Sequence, residues 1–192
     1  MRETLLSNLL QSITPISENF GQFIADYSST HSFVRGDQLL YIPPVSNTIY
    51  FVEKGLLCGT KSLDESKLTL WFSNEGHFIV PDLISSDRYF TERFEFLTPS
   101  VIIGIKIERL FKAMDTYPEC KILGIAILDR HIKSLQEREY LLRLPSDARY
   151  ERAFRQHPHY FIESNNDHLA SYLRLSIRHF NRIKKEFSSS KI

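Results

Sequence analysis

Cysteine is scarce in this chain, and the scarcity excludes several kinds of protein at once. There are two among 192 residues, Cys58 and Cys120, with no paired spacing, so a disulfide framework, a zinc knuckle and a four-cysteine iron–sulfur site are all unsupported. Both read as buried small apolar residues. No run of 18 apolar residues occurs, so no membrane-spanning helix is predicted. The opening stretch, residues 1–20, mixes Glu3, Ser7, Asn8 and Gln11 into its apolar residues, unlike a signal peptide, and a cytoplasmic location is expected. No Ser/His/Asp set, paired-cysteine motif or Gly-rich phosphate loop stands out, so neither an enzyme activity nor a cofactor is expected. His157-Pro-His159 holds two imidazoles in a connector with no third ligand nearby in sequence; it reads as structural, and no metal site is expected.

What the chain does have is enough apolar residue, 42%, for a packed core, and a length suited to one sizeable domain plus a small one. Its net charge of +1 hides an asymmetry. Residues 146–192 hold nine Lys/Arg against five Asp/Glu, whereas residues 1–145 hold fifteen against eighteen. The basic end is therefore where a polyanion would bind.

Apolar residues at helical spacing, Leu5, Leu6, Leu9, Leu10 and Ile13, then Phe20, Phe23 and Ile24, predict two short helices broken at Pro15. From Ser32 to Ile107 the pattern changes to eight short apolar runs divided by turns such as Arg35-Gly36-Asp37, Lys54-Gly55 and Asn74-Glu75-Gly76. This predicts a β-sandwich or roll. A short helix over 108–117 should close at Pro118. The stretch 119–144 then predicts a long helix in which Ile125, Leu128, Ile132, Leu135 and Leu142 follow a three-four alternation with Glu139 as the one polar interruption. So narrow a stripe fits a coiled-coil seam, and it also fits a helix packed on its own roll. Pro145 ends the helix, and Ser146 or Asp147 is expected to cap the next one.

The segment 165–187 predicts two helices with a tight turn, capped by Asn165 or Asn166 and by Ser176. On a helical wheel Phe180, Ile183 and Phe187 fall on one side of the second helix, with Arg178, Asn181, Arg182 and Lys185 opposite. That outer face suits a reader of the DNA major groove, since Arg forks match guanine and Asn matches adenine. An ordinary amphipathic pair with a solvated basic face would show the same wheel.

The spacing of Ala170, Leu173, Leu175, Phe180 and Ile183 within LASYLRLSIRHFNRIKKEF resembles the helix-turn-helix of the Crp/Fnr family of bacterial transcription regulators. Ala148 to Phe161 resembles the helix and Pro-containing connector that precede the motif, and residues 33–118 resemble the family's sensor roll, including Gly36-Asp37 and the VEKG turn at 52–55. The resemblance implies an α+β chain in three parts. These are a jelly-roll-like double-stranded β-roll of the cyclic-nucleotide-binding type (1–118), a dimerisation helix and hinge (119–145), and a helix-turn-helix domain (146–192). It further implies a homodimer through the 119–144 helix and double-stranded DNA as partner, read as an inverted repeat. RNA polymerase is a further implied partner, and a small-molecule effector of unknown identity is possible. Ser176, Ile177, Arg178, Asn181, Arg182, Lys184 and Lys185 are the implied DNA-contacting residues. The rival function is a ligand-binding roll whose helical tail makes protein contacts only.

The chain departs from the family in three places. Members that bind cyclic AMP carry Gly-Glu and then Arg-Ser/Thr-Ala, whereas here Gly76 precedes His77 and Phe90-Thr91-Glu92 stands where the phosphate-binding Arg belongs. No cyclic-AMP response is expected; His77, Arg88 and Arg93 remain weak effector-site candidates. Many members have Gly where Arg174 stands in the turn, and Arg there must accept backbone strain of roughly 1 kcal/mol or alter the turn. Many members also carry a two-stranded wing after the recognition helix; residues 188–192 are too short for a hairpin, so backbone contacts from a wing are not expected.

Overall fold

A computed structural model describes residues 4–41, 47–63, 66–80 and 92–189. Two helices, α1 (Leu5–Ile13) and α2 (Glu18–Tyr27), precede eight strands: β1 (Ser28–Phe33), β2 (Gln38–Tyr41), β3 (Thr48–Lys54), β4 (Leu56–Leu63), β5 (Ser66–Asn74), β6 (Phe78–Ile79), β7 (Glu92–Phe96) and β8 (Ser100–Lys106). Six helices follow: α3 (Ile107–Thr116), α4 (Pro118–Arg143), α5 (Ser146–Gln156), α6 (Pro158–Glu163), α7 (Asn166–Tyr172) and α8 (Ile177–Ser189). The strands form two antiparallel sheets, ordered β1-β8-β3-β6 and β2-β7-β4-β5.

Alternation along the strands divides the apolar residues between two faces. Val52, Leu57, Ile79, Phe94, Phe96 and Ile102 fill the roll between the sheets, with Phe33 stacked on Phe96 at 3.9 Å and Trp71 edge-on to Phe94 at 5.2 Å. Gly59 is required here. A Cβ at that position would lie 2.1 Å from the Trp71 ring, so only a residue without a side chain lets the indole cross β4.

The outward faces are covered by different helices. On the β3–β8 sheet, Ile49, Phe51, Ile103 and Ile105 face α1 to α4. There Leu10, Phe20, Ala113, Cys120 and Leu123 form a second core. Glu53 receives the backbone N–H groups of Leu5 at 2.7 Å and Leu6 at 3.1 Å, placing a carboxylate at the positive end of α1. On the β4–β5 sheet, Leu56 and Cys58, with Leu97 after β7, share a third core with the carboxy-terminal helices.

Three local details differ from the sequence expectation. Helix α4 begins at Pro118 rather than 119, since Pro suits the first helical turn. Helix α5 begins at Ser146 with Pro145 at the N-cap position and no side-chain cap, so neither Ser146 nor Asp147 plays the expected capping role. The His157-Pro-His159 connector opens a further helix, α6, and the Tyr160 ring stacks on His157 at 4.6 Å.

Candidate nucleic-acid interface

Helices α7 and α8 meet through a four-residue turn. Asn165 caps α7 by accepting from His168 N at 2.8 Å, and Ser176 Oγ accepts from His179 N at 3.2 Å at the start of α8, as the spacing predicts. Between them the chain reverses at Arg174, whose φ of +51° is the one positive value on a non-glycine among the described residues. This is the strained outcome the missing Gly implied. Leu175 N donates to Ala170 O at 2.9 Å, and Ala170 is buried where the helices cross. A larger side chain would force the crossing apart.

The wheel of α8 is realised in space. Phe180 and Ile183 are buried and Phe187 half-buried against Tyr150 and Phe154 of α5, while Arg178, Asn181, Arg182 and Lys185 are exposed. The exposed residues are not equivalent. Arg182 donates to Glu186 at 2.9 Å and lies 3.0 Å from His179 Nε2. Asn181 Oδ1 accepts from Asn166 Nδ2 at 3.0 Å, and Lys184 donates to Asn166 Oδ1 at 2.9 Å, so these two tie α8 back to α7. The Arg178 guanidinium and the Lys185 ammonium have no hydrogen-bond or ion-pair partner among the described residues. Ile177 is 42% exposed beside Arg178, an apolar surface next to a free guanidinium.

The rear of the unit rests on the roll. His168, 5% exposed, places Nδ1 2.9 Å from Thr69 Oγ1 and 3.8 Å from Cys58 Sγ, with Nε2 3.3 Å from Glu95. Ser171 Oγ accepts from Thr69 N at 2.9 Å, and Lys67 pairs with Glu95. Burial pushes the Glu95 carboxyl up, but the Lys67 ammonium and the His168 ring together hold it below the usual carboxylate range. Burial, reinforced by Glu95, pushes the Cys58 thiol up to about 12, which leaves it an unreactive packing residue. Phe72 stacks on Tyr160 at 4.8 Å and meets Tyr172 edge-on, and Tyr160 Oη donates to Asn74. From the α4 side, Arg138 lies over the Tyr172 ring and donates to Tyr172 O, and Arg149 donates to Leu173 O at 2.7 Å.

Two sheets rolled on each other, a 26-residue helix running off them and a helix-turn-helix beyond it decide the architecture. The chain has the fold of the Crp/Fnr transcription regulators. FixK2 from Bradyrhizobium japonicum superimposes with a TM-score of 0.71 at 14% identity, covering 86% of each chain. The c-di-GMP-responsive global regulator CLP of Xanthomonas campestris gives 0.64 at 15% identity over 91% of this chain and 93% of its own. TTHB099, a CRP-family transcriptional regulator from Thermus thermophilus, gives 0.64 at 16% identity over 84% and 85%. No protein-family model and no curated protein matches the sequence.

The stripe on α4 faces outward. Ile125 is 70% exposed, Leu128 44%, and Ile132 and Leu135 53% each, while Leu142 is half-buried. Ile122, one turn before Ile125 and 49% exposed, continues the stripe, as its i−3 spacing could have told. Of the effector candidates, Arg88 lies outside the described residues, Arg93 is exposed on β7, and His77 sits in the turn before β6 with Nδ1 3.1 Å from Asn74 O. His77 and Arg93 make no hydrogen bond with each other. His168 had no visible signal, since one polar residue beside Leu169 and Ala170 looks the same whether it faces water or a strand. Among the described residues no helix is long and apolar enough to cross a membrane, and no cluster of three or more His, Cys, Asp or Glu residues could hold a metal.

Proposed function

We propose that the protein is a sequence-specific, DNA-binding transcription regulator that works as a homodimer on an inverted repeat. The observation that carries this is the outer face of α8. It is exposed along its length, its opposite face is buried, and it offers Arg178 and Lys185 with no partner of their own. Arg178 in the first turn is the candidate for bidentate contact to guanine, and Ile177 for a thymine methyl. Lys185 and Ser176 suit phosphate. Arg182 reaches DNA by leaving Glu186, and Asn181 and Lys184 act first as braces through Asn166.

Dimerisation through the stripe Ile125, Leu128, Ile132, Leu135 and Leu142 would cover apolar surface that a lone chain leaves in water. Two copies of α8 would then face half-sites about 34–36 Å apart, one helical turn of DNA. The division of labour is a roll to Pro118, a dimer helix and hinge to Pro145, and a DNA-binding part from Ser146. RNA polymerase is the machinery such a regulator acts on. A cyclic-AMP response is not part of this proposal: His77 follows Gly76, and aromatic side chains occupy the roll between its sheets.

Titrating DNA affinity against salt on genomic fragments selected for binding tests the proposal. Neutralising several phosphates requires a steep linear fall of log affinity with log salt, together with preference for the selected sequence over random DNA. A roll that acts through protein contacts alone would give neither.

A further inference from the structure

Outside the roll, on the far side of the β3–β8 sheet from its own core, lies a cavity of about 450 Å³. Ile103 and Ile105 form its floor, Leu6 and Ile24 of α1 and α2 one wall, Met114 of α3 and Ile127 of α4 the others. Its volume falls within the roughly 300–1,000 Å³ range of small-molecule sites. Among the described residues lining it, Lys121 is the one with a charged side chain. That ammonium is exposed and has no hydrogen-bond or ion-pair partner among the described residues. Gly124 keeps α4 thin beside the cavity: a Cβ there would approach Met114 Cε to 3.2 Å.

We propose that this cavity binds an amphiphilic carboxylate, its aliphatic chain lying on Ile103 and Ile105 and its carboxylate pairing with Lys121. Two features argue for that chemistry. A carbon-lined void of this size is too apolar to hold ordered water, which needs several polar partners, and too large to be left empty cheaply. Lys121, the one cation among the described lining residues, matches a single anionic group. The alternative occupant is a second copy of this chain, because Ile125 and Leu128 belong both to the cavity and to the exposed stripe of α4. A partner helix laid along the stripe would cap the opening.

Equilibrium binding of dodecanoate to the full chain, kept below its micelle concentration and compared with dodecanol as the uncharged probe, tests this without DNA. Its outcome is therefore separate from that of the DNA-binding proposal. Saturable uptake of about one dodecanoate per chain is expected. Lys121→Met should weaken dodecanoate at least tenfold and leave dodecanol unchanged, as loss of a charge partner predicts. Gly124→Leu should abolish both by filling the space; if it fails to fold by circular dichroism, Ile105→Trp fills the same space from the sheet. Absence of saturable binding, an unchanged dodecanoate affinity in Lys121→Met, or equal uptake by the filled variant each overturns the proposal. So does binding seen only when Ile132→Asp and Leu135→Asp break the dimer, since the second copy would then be the occupant.

Discussion

Replacing Arg174 by Gly should stabilise the protein, although it removes a side chain and adds freedom to the unfolded chain. At φ +51° the Arg Cβ crowds the following carbonyl, a cost of roughly 1–2 kcal/mol that Gly does not bear. Against this, Gly is entropically costlier to order by about 0.5–1 kcal/mol. The Arg174 side chain is exposed and makes no hydrogen bond from its guanidinium among the described residues, so little contact energy is lost. Its charge also opposes that of Arg138, which burial already holds below its ordinary pKa, so removing it relieves a small repulsion. The expected net gain is about 0.5–1 kcal/mol, a rise in melting temperature of about 1–4 °C for a chain of this size. Urea unfolding with an unchanged m-value measures it. Arg174→Val is the opposing control, because a branched Cβ is worst in this region, and it should destabilise. A less stable Gly variant, or Gly and Val shifting stability the same way, would refute the inference that the turn is strained.

Four further outcomes follow from the same geometry. Arg178→Ala should cost about 1–3 kcal/mol on the cognate site and relax selectivity at one base position, whereas Lys185→Ala should weaken all sequences alike; competition binding with single-base operator variants separates them. Charge placed in the stripe by Ile132→Asp with Leu135→Asp should give a monomer by sedimentation, and an unchanged dimer mass would sink the proposed seam. Burial, then repulsion from His159 and from His77, holds His157 below the ordinary imidazole value; burial and then His77 do so for His159. Glu137 and Glu163 oppose the shift. The unfolded chain therefore takes up these protons first, so their contribution is full above about pH 6.5 and is lost as pH falls below it. Urea midpoints between pH 8 and pH 5 read the loss, and His157→Gln with His159→Gln should flatten it. Finally, His168→Ala empties a site 5% exposed, leaves Thr69 Oγ1 without the imidazole and leaves Glu95 with Lys67 alone, which should cost about 2–4 kcal/mol by urea unfolding.

Much of this arrangement was legible because periodicity reports burial directly. Phe180 and Ile183 inward with Arg178 and Lys185 outward, and the α4 stripe outward, are consequences of 3.6 residues per turn that no tertiary context overturned. Arg174 was legible through the resemblance, since many members have Gly at that place; of the two expected outcomes, strain or an altered turn, the positive φ is the former. What a wheel cannot carry is the partner of a face. Asn181 looks outward by angle and Lys184 is a DNA contact by resemblance, yet Asn166 from the neighbouring helix claims both. Pro145 displaced the expected Ser146 cap because its fixed φ alone starts a helix without any side-chain acceptor. His168 against Thr69, Cys58 and Glu95 joins residues 73 to 110 apart in the chain, a separation over which no local pattern speaks.

The docking of α7 on β5 bears on how such a chain can change over time. Leu56, Cys58 and Leu97 share one core with Leu169, Leu173 and Phe180, so the covalent boundary at Pro145 does not divide the apolar interior. The roll and the helix pair are consequently not exchangeable cassettes. Residues 146–192 grafted onto another roll would arrive with a buried imidazole seeking Thr69 and an aromatic face seeking Phe72. Drift on one side of that contact must be answered on the other. If the proposed DNA-binding role holds, new sequence preferences would accumulate freely only on the exposed side of α8, where no residue of the roll has a claim.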